Sequence, residues 1–234
     1  MDVRTRILEA AAGLLSQAPE ADISTRAVCE AAGVGAPALY RQFGDKEGLL
    51  SAVVDYGFEQ YLSSKRAAQP SDDPVRDLRD GWDNHVAFAV DNPNYYRLMW
   101  SPGLSAPPEA AAEAHRLLLA VLERCAAAGR LRVSPETAAD MVMSANSGVA
   151  LSLISRPAIY ADPEFSTRVR DAVIDAVTVP PTAADDAPED GRTAVAAATL
   201  GALLRDRPPA ALTEAETALL REWLGRLSDT STPS

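Results

Sequence analysis

Residues 24–50, STRAVCEAAGVGAPALYRQFGDKEGLL, constrain the fold of this chain more than any other segment. Apolar residues recur four positions apart in each half of the segment, as Leu39 and Phe43 do, and this spacing predicts two short amphipathic helices. Gly33 separates the two halves and readily adopts the left-handed backbone of a tight turn. Val34 follows it and fills the corner. The segment therefore predicts two helices that meet at a glycine turn and pack through their apolar faces.

Polar residues predict where the helices of this segment begin. Ser24 is a strong N-cap for the first helix, whereas Gly35 is a weaker one for the second, with Pro37 in a first turn whose N–H groups lack helical partners. Asp45 caps a third helix, and Lys46 is its first residue. The helix dipole disfavours a cation there by up to about 1 kcal/mol, unless an anion such as a DNA phosphate also binds. A solvated surface lysine is the alternative.

The positions between the apolar anchors carry side chains that suit nucleic acid. These side chains are those of Thr25, Arg26, Tyr40, Arg41 and Lys46. Each of them can contact a phosphate or a base edge. Together with the turn, they predict a helix-turn-helix that reads duplex DNA.

A further helix over residues 3–17 is predicted by an apolar stripe at helical spacing, and it closes a small core on the other two. Arg4 and Arg6 lie at its start, where an N-terminal arm can reach a flanking groove or phosphate. Two merely solvated arginines are the alternative interpretation.

The run RILEAAAGLLSQ, followed by residues 24–50, resembles the N-terminal domain of the tetracycline-repressor (TetR) family of bacterial one-component regulators over about residues 3–55. The A-G-V turn, the L-Y-x-x-F helix and the x-K-E-x-L-L start occur together at the spacing of that family. By resemblance, its DNA-contacting roles fall on Thr25, Arg26, Tyr40 and Lys46, and its base-reading roles on Ala36, Pro37 and Arg41. The chain departs from the family at Gly35, where a serine hydroxyl is common.

Hydrogen-bonded base recognition has few candidates in the second helix. Ala36 and Pro37 carry no side-chain donor or acceptor and offer only apolar contact, for example to a thymine methyl. Arg41 and Arg26 are the forked donors that can recognise guanine. We therefore expect these arginines to supply the sequence preference.

The charge of the chain is the wrong sign for a nonspecific nucleic-acid binder. The formal net charge is −11, and even residues 1–66 hold seven Lys and Arg against nine Asp and Glu. Clustering on one face matters more than the sum. We expect the acidic remainder to repel DNA and to confine contact to the N-terminal head.

The rest of the chain is predicted to be helical, so the expected fold is all-α: a three-helix DNA-binding domain over residues 1–46 and a larger effector-binding and dimerisation domain over 47–234. Proline and glycine punctuate it, and no alternating strand pattern occurs. The predicted helices cover about 45–66, 74–91, 93–100, 108–128, 135–155, 163–177, 192–205 and 213–227, and Thr213 with Glu216 is expected to form a capping box at the start of the last one. The segment 178–191 is rich in Pro, Asp and Ala and predicts a flexible linker.

Composition also indicates in which cellular compartment the protein is expected. No uncharged apolar run approaches the length of a membrane span, and the start of the chain lacks the core of a signal peptide. Two cysteines, Cys29 and Cys125, suit a reducing compartment better than a disulfide framework. We expect a cytoplasmic protein that does not bind membranes.

A short recognition helix reads few base pairs, so a homodimer on a palindromic operator is expected. Two helices offer a surface for this contact. The helix at 135–155 presents a seam that begins at Ala138 and includes Ala145 and Gly148, and the helix at 213–227 presents Trp223 and leucines. Each face suits an interior core equally well.

Aromatic and polar residues between 82 and 100, with two residues of a later helix, suggest a cavity for a small-molecule effector. The predicted lining is Trp82, His85, Phe88, Asn92, Tyr95, Tyr96, Met99, Trp100, Met141 and Asn146. The same residues describe an ordinary core. An uncharged or cationic compound that stacks on aromatic rings is favoured over a polyphosphate.

Two other function classes remain open at this point. One is a small helical enzyme using His85 with a carboxylate, and the other is a helix-turn-helix that contacts protein. The enzyme has little support, because no nucleophile motif, phosphate loop or metal-ligand spacing occurs; we expect no cofactor and no metal. The preferred interpretation is a repressor released from its operator by a small molecule.

Overall fold

The computed structural model describes residues 2–17, 23–67, 69–100, 109–180, 189–206, 209 and 211–229. Over these residues the chain forms eleven α-helices and no strand. The helices are α1 Val3–Gln17, α2 Thr25–Ala32, α3 Ala36–Phe43, α4 Lys46–Ala67, α5 Pro74–Asp91, α6 Pro93–Met99, α7 Glu109–Ala127, α8 Pro135–Ser155, α9 Phe165–Val177, α10 Glu189–Asp206 and α11 Glu214–Ser228. The predicted all-α class is confirmed.

Local capping explains several helix ends. The Thr213 hydroxyl accepts from the Glu216 N–H at 3.3 Å, and the Glu216 carboxylate accepts from the Thr213 N–H at 2.8 Å, which is the predicted capping box of α11. Gly129 ends α7 with a φ of 67°, in the left-handed region. Helix α9 begins at Phe165, two residues after the predicted start, because Asp162 first forms a turn in which its backbone oxygen accepts from the Phe165 N–H.

The predicted linker at 178–191 is wrong at both ends. Thr178 and Val179 are buried, and Thr178 forms an isolated antiparallel bridge with Leu131, beside which the Val179 N–H donates to the Arg130 carbonyl at 3.0 Å. A bridge this short leaves no periodic pattern in the sequence. Residues 189–191 already belong to α10. Residues 181–188 lie outside the described part of the chain.

The chain divides into two compact units. The first comprises Met1–Ala68, Val86–His115 and Ala150–Ile159, and the second comprises Gln69–His85, Arg116–Val149 and Tyr160–Ser234. In the first unit α1, α2 and α3 pack on one another, α1 and α3 pack on α4, and α6 packs against α1 and α4. In the second unit α10 and α11 form an extensively packed helix pair. The first unit thus continues beyond the helix-turn-helix itself.

Each unit has its own apolar core. The first is built on fully buried residues that include Ile7, Leu15, Val28, Leu39, Leu49, Val53 and Phe58. The second is built on Trp82, Leu122, Leu131, Ile174 and the small buried residues Ala138, Ala197 and Ala198. Small residues on α10 allow close helix packing.

Cys29 and Cys125 are free thiols, and burial raises the pKa of Cys125 to about 12. Within the described ranges, no three His, Cys, Asp or Glu side chains come together as metal ligands. Of the helices described, none is both long and apolar enough to cross a membrane.

Candidate nucleic-acid interface

The turn between α2 and α3 is built from short-range contacts. The Ser24 hydroxyl accepts from the Ala27 N–H at 3.1 Å and caps α2, as predicted. Gly33 adopts a φ of 64°, and the following Val34 N–H donates to the Cys29 carbonyl at 3.0 Å. An L-residue with a side chain is strained at that φ. Gly35 caps α3 through its backbone alone.

Helix α3 has one buried side and one exposed side. Leu39 is fully buried and anchors the helix to the core. Ala36, Pro37, Tyr40 and Arg41 are exposed, and they pair at the i, i+4 spacing that places residues on one side of a helix. Tyr40 is 44% exposed although its side chain is large and mostly apolar. This side of α3 therefore faces solvent and does not belong to the core.

The junction of α3 and α4 depends on two glycines that the sequence analysis did not identify. Gly44 adopts a φ of 79° after the last turn of α3. A Cβ atom at Gly48 would lie 2.1 Å from the Phe43 carbonyl oxygen, so only glycine fits there. The Gly48 N–H instead donates to the Asp45 carboxylate at 2.7 Å, which caps α4. The repeated glycines of F-G-D-K-E-G were the available signal.

This junction places Lys46 at the first residue of α4, with an exposed side chain. The first N–H groups of a helix have no intrahelical acceptor, and they carry the positive end of the helix dipole. Lys46 therefore places a cation beside the N–H groups of this helix end, one of which donates to the Asp45 carboxylate.

At the start of α2, Thr25 is half-buried and Arg26 is exposed. The Arg26 guanidinium Nε donates to the Glu30 carboxylate at 2.9 Å, one helical turn away. Both side chains are well exposed, and such pairs contribute no more than about 1 kcal/mol. An anionic ligand can therefore compete with Glu30 for Arg26.

The two arginines at the start of α1 differ. Arg4 donates from Nη1 to the Gln42 carbonyl at 3.0 Å, and its guanidinium lies 4.6 Å from the ring centroid of Phe43. Arg4 thus holds α1 against the end of α3, a contact that sequence reasoning did not foresee. Arg6 is exposed.

Residues 7–53, the part of the chain that builds this turn and its flanking helices, match the family model for bacterial regulatory proteins of the tetR family. The chain carries the N-terminal DNA-binding domain of the TetR family. The resemblance inferred from the A-G-V and L-Y-x-x-F motifs is confirmed.

Two curated relatives extend this comparison. The HTH-type transcriptional regulatory protein RaaS of Mycobacterium tuberculosis is 48% identical over 53 residues, which are 23% of this chain and 25% of that protein. The nucleoid occlusion factor SlmA of a Marinomonas species is 30% identical over 110 residues, which are 46% of this chain and 55% of that protein. The chain therefore matches a quarter and about half of the lengths of these relatives.

Solved structures show the same fold. The FadR regulator of Bacillus subtilis, solved in complex with stearoyl-CoA, superposes with a TM-score of 0.59 at 14% identity. The match covers 73% of this chain and 97% of that one. The matched family and these structural neighbours are transcriptional regulators rather than enzymes.

The predicted pocket residues of this TetR-family protein are divided between the two units. In the first unit Tyr96 is fully buried, Phe88, Asn92, Tyr95 and Met99 are half-buried, and Trp100 is 44% exposed. The Phe88 ring contacts Phe58 and Tyr61 of α4, with centroids 4.5 and 4.7 Å apart. The sequence-based prediction of the pocket did not include these two rings. The available signal was the i, i+3, i+7 spacing of Phe58, Tyr61 and Lys65, which places them on one face of α4.

In the second unit Trp82, His85 and Asn146 are buried, whereas Met141 is 40% exposed. The Asn146 amide donates to the Trp82 carbonyl at 3.3 Å, and the Trp82 indole donates to the Ser166 hydroxyl at 3.1 Å. The exposure of Met141 and of Trp100 in the first unit does not suit the wall of a closed cavity. The pocket as a whole stays a prediction.

Proposed function

We propose that this TetR-family protein is a homodimeric repressor that binds a palindromic DNA operator and is released from it by a small molecule. The observation that carries the proposal is the composition of the exposed surface around α3. Tyr40 and Arg41 on α3, Arg26 on α2 and Lys46 on α4 are exposed, although their neighbours Leu39 and Val28 are fully buried.

This surface divides chemically into phosphate-binding and base-reading groups. Lys46 with the N-terminus of α4, and the Tyr40 hydroxyl, suit phosphates. Arg41 and Arg26 suit guanine, and Ala36 and Pro37 suit a thymine methyl. Thr25 adds a hydroxyl at the start of α2, and Arg6 adds a cation at the edge. We assign DNA binding to residues 1–46 and effector binding and dimerisation to residues 47–234.

A second copy of the chain is the proposed partner of the α10–α11 pair. Five large apolar side chains are exposed on these two helices, at 44–52% of their area, and they are Leu200, Leu203, Leu219, Trp223 and Leu227. Exposed apolar patches of this kind mark interaction surfaces. The alternative seam on α8 is less suitable because its first member, Ala138, is fully buried within the chain.

An effector is supported by buried polar atoms and by one structural neighbour. Asn146 Oδ1 and Ser147 Oγ are buried on α8 without a hydrogen-bond partner in the described part of the chain. Such atoms are costly unless they are paired, and a polar group of a ligand can pair them. The neighbour from Bacillus subtilis was crystallised with stearoyl-CoA. The identity of the effector is a matter for screening.

Footprinting on the promoter region beside the protein's own gene tests the proposal. We expect protection of an inverted repeat whose half-sites lie about one turn of DNA apart, and loss of that protection with an effector found by thermal-shift screening. Absence of any protection at low salt would reject the DNA-binding proposal. It would favour a helix-turn-helix that contacts protein.

A further inference from the structure

Helix α6 is short, yet three of its residues each hold a different helix of the first unit. Asn94 contacts α1, Tyr95 contacts α4 and Arg97 contacts α8. The contacts to α1 and α8 are hydrogen bonds to backbone carbonyls, and the contact to α4 is a close approach of a ring to a glycine.

The contact to α1 is made by a buried amide. Asn94 is 9% exposed, and its Nδ2 donates to the Leu15 carbonyl at 2.8 Å. Leu15 lies in the last turn of α1, which ends at Gln17, so no N–H of that helix donates to its carbonyl. Removing the Asn94 amide would therefore take the hydrogen bond away from a buried carbonyl oxygen and destabilise this end of α1.

Arg97 extends this contact to a second helix end. Its Nη1 donates to Asn94 Oδ1 at 3.1 Å, and its Nη2 donates to the carbonyl of Ile154. Ile154 lies in the last turn of α8, which ends at Ser155, where free carbonyls and the negative end of the helix dipole favour a cation. The side chains of Asn94 and Arg97 thus form one bridge from the end of α1 to the end of α8.

The contact to α4 leaves no room for adjustment. A Cβ atom at Gly57 would lie 2.4 Å from the Tyr95 ring, so α6 reaches the backbone of α4 directly. Helix α4 begins at Lys46, in the proposed DNA-binding surface. One short helix therefore sets the positions of both α1 and α4, on which the helix-turn-helix packs.

We propose that Asn94 and Arg97 are positioning residues for DNA binding, because their bridge fixes the DNA-reading head on α6 and on the end of α8. The proposal rests on the proposed function. Neither residue touches DNA; they act by holding α1, and through its packing α2 and α3, in one orientation.

Hydrogen exchange tests the bridge without DNA. Asn94→Leu in the full-length protein should raise exchange in the last turn of α1 and in α6, while α2 and α3 keep wild-type protection. Asn84→Leu, the same change at an exposed position on α5, is the matched control and should leave all four helices unaltered. Unchanged exchange in α1 of Asn94→Leu would overturn the bridge, whatever the fate of the repressor proposal.

Operator binding tests the positioning role on a site that the wild type protects. Asn94→Leu and Arg97→Met should each weaken binding about tenfold, and the double variant should be no weaker than either single one, because both changes break one bridge. The salt dependence should keep its wild-type slope, since no phosphate contact is removed. Arg97 is half-buried, so Arg97→Met serves as the second readout if Asn94→Leu unfolds the chain.

Two outcomes would overturn the positioning role. One is single variants that bind the operator within twofold of the wild type, and the other is losses that multiply in the double variant. Both are distinct from failure of the wild type to bind any operator, which would reject the proposed function instead.

Discussion

Arg41 and Lys46 are both exposed cations of the helix-turn-helix, but they differ in what they can recognise. A guanidinium presents paired donors that match the edge of guanine, whereas an ammonium is a point charge without such geometry. We expect Arg41→Ala to reduce discrimination at one operator position by about 1–3 kcal/mol. Affinities for the operator and for single-base variants of it would measure this. Equal losses on all of these sequences would assign Arg41 to phosphate instead.

Lys46→Ala should weaken binding to all sequences alike. Removing one phosphate contact lowers the slope of log affinity against log salt by about 1. Titrations at several salt concentrations on the operator and on unrelated DNA would measure both effects. The phosphate role of Lys46 would have to be abandoned if the slope stayed at its wild-type value.

Lys65 shows how burial alone tunes a charge. Its ammonium lies 4.9 Å from the ring centroid of Tyr61, and desolvation lowers the pKa of Lys65 from 10.5 to about 8. Between these values the unfolded chain binds a proton that the folded chain does not, so this residue makes stability rise with pH from about 8 to 10.5. The Tyr61 phenol stays neutral there, because burial raises its pKa.

The matching prediction concerns Lys65→Met. At pH 7 the variant should have a higher free energy of unfolding than the wild type, because it removes a desolvated charge and keeps the apolar stem. The difference should shrink at pH 10. Denaturant titrations at the two pH values would measure it. A difference that did not vary with pH would show that the Lys65 ammonium is well solvated.

At the scale of elements, the α3–α4 junction is fixed by backbone contact. Gly48→Ala would place a Cβ atom 2.1 Å from the Phe43 carbonyl oxygen, so α3 and α4 must shift. We expect a loss of about 1–3 kcal/mol in the free energy of unfolding. Gly13→Ala in α1 is the matched control: nothing lies within 4 Å of its Cβ, so the helix propensity of alanine should stabilise the protein by about 0.5–1 kcal/mol. Urea denaturation of both variants would compare them, and similar effects of the two would contradict the clash.

Capping at element ends shows what sequence alone can predict. The Ser24 cap and the Thr213 and Glu216 box were predicted and are confirmed. Their contacts span only three residues, so composition and spacing specify them. The bridge between Leu131 and Thr178 spans 47 residues, and its Thr178 end was predicted as linker because nothing local distinguishes it.

In the whole molecule, the proposed function requires two copies of the chain, so operator binding should depend on dimerisation. Trp223 is 52% exposed on α11 among four exposed leucines of α10 and α11. Buried tryptophans often contribute about 2 kcal/mol or more to an interface. Trp223→Asp should therefore weaken dimerisation at least tenfold and weaken operator binding with it.

The control for this change is Ile159→Asp. Ile159 is 71% exposed, follows α8 and lies outside the α10–α11 pair. Sedimentation velocity over a range of protein concentrations would compare the two variants with the wild type. A dimer that survived Trp223→Asp but dissociated with Ile159→Asp would place the interface elsewhere.

Local patterns in the amino-acid sequence specify the helices, most of their ends and the residues of the candidate DNA surface. These features depend on contacts within about four residues, such as the Ser24 cap, the Gly33 turn and the spacing of Leu39 and Phe43. The exposure of Tyr40, Arg41 and Lys46 followed from the same spacing, since apolar anchors on one side of a helix leave the other side to solvent.

Local patterns do not specify which distant residues meet, because those contacts depend on long-range packing. The Asn94 amide reaches a carbonyl 79 residues earlier in the chain, and Arg4 reaches one 38 residues later. Gly48 and Gly57 are required by backbone and ring atoms that no local pattern places beside them. A polar side chain is compatible with many partners, and long-range packing selects one of them.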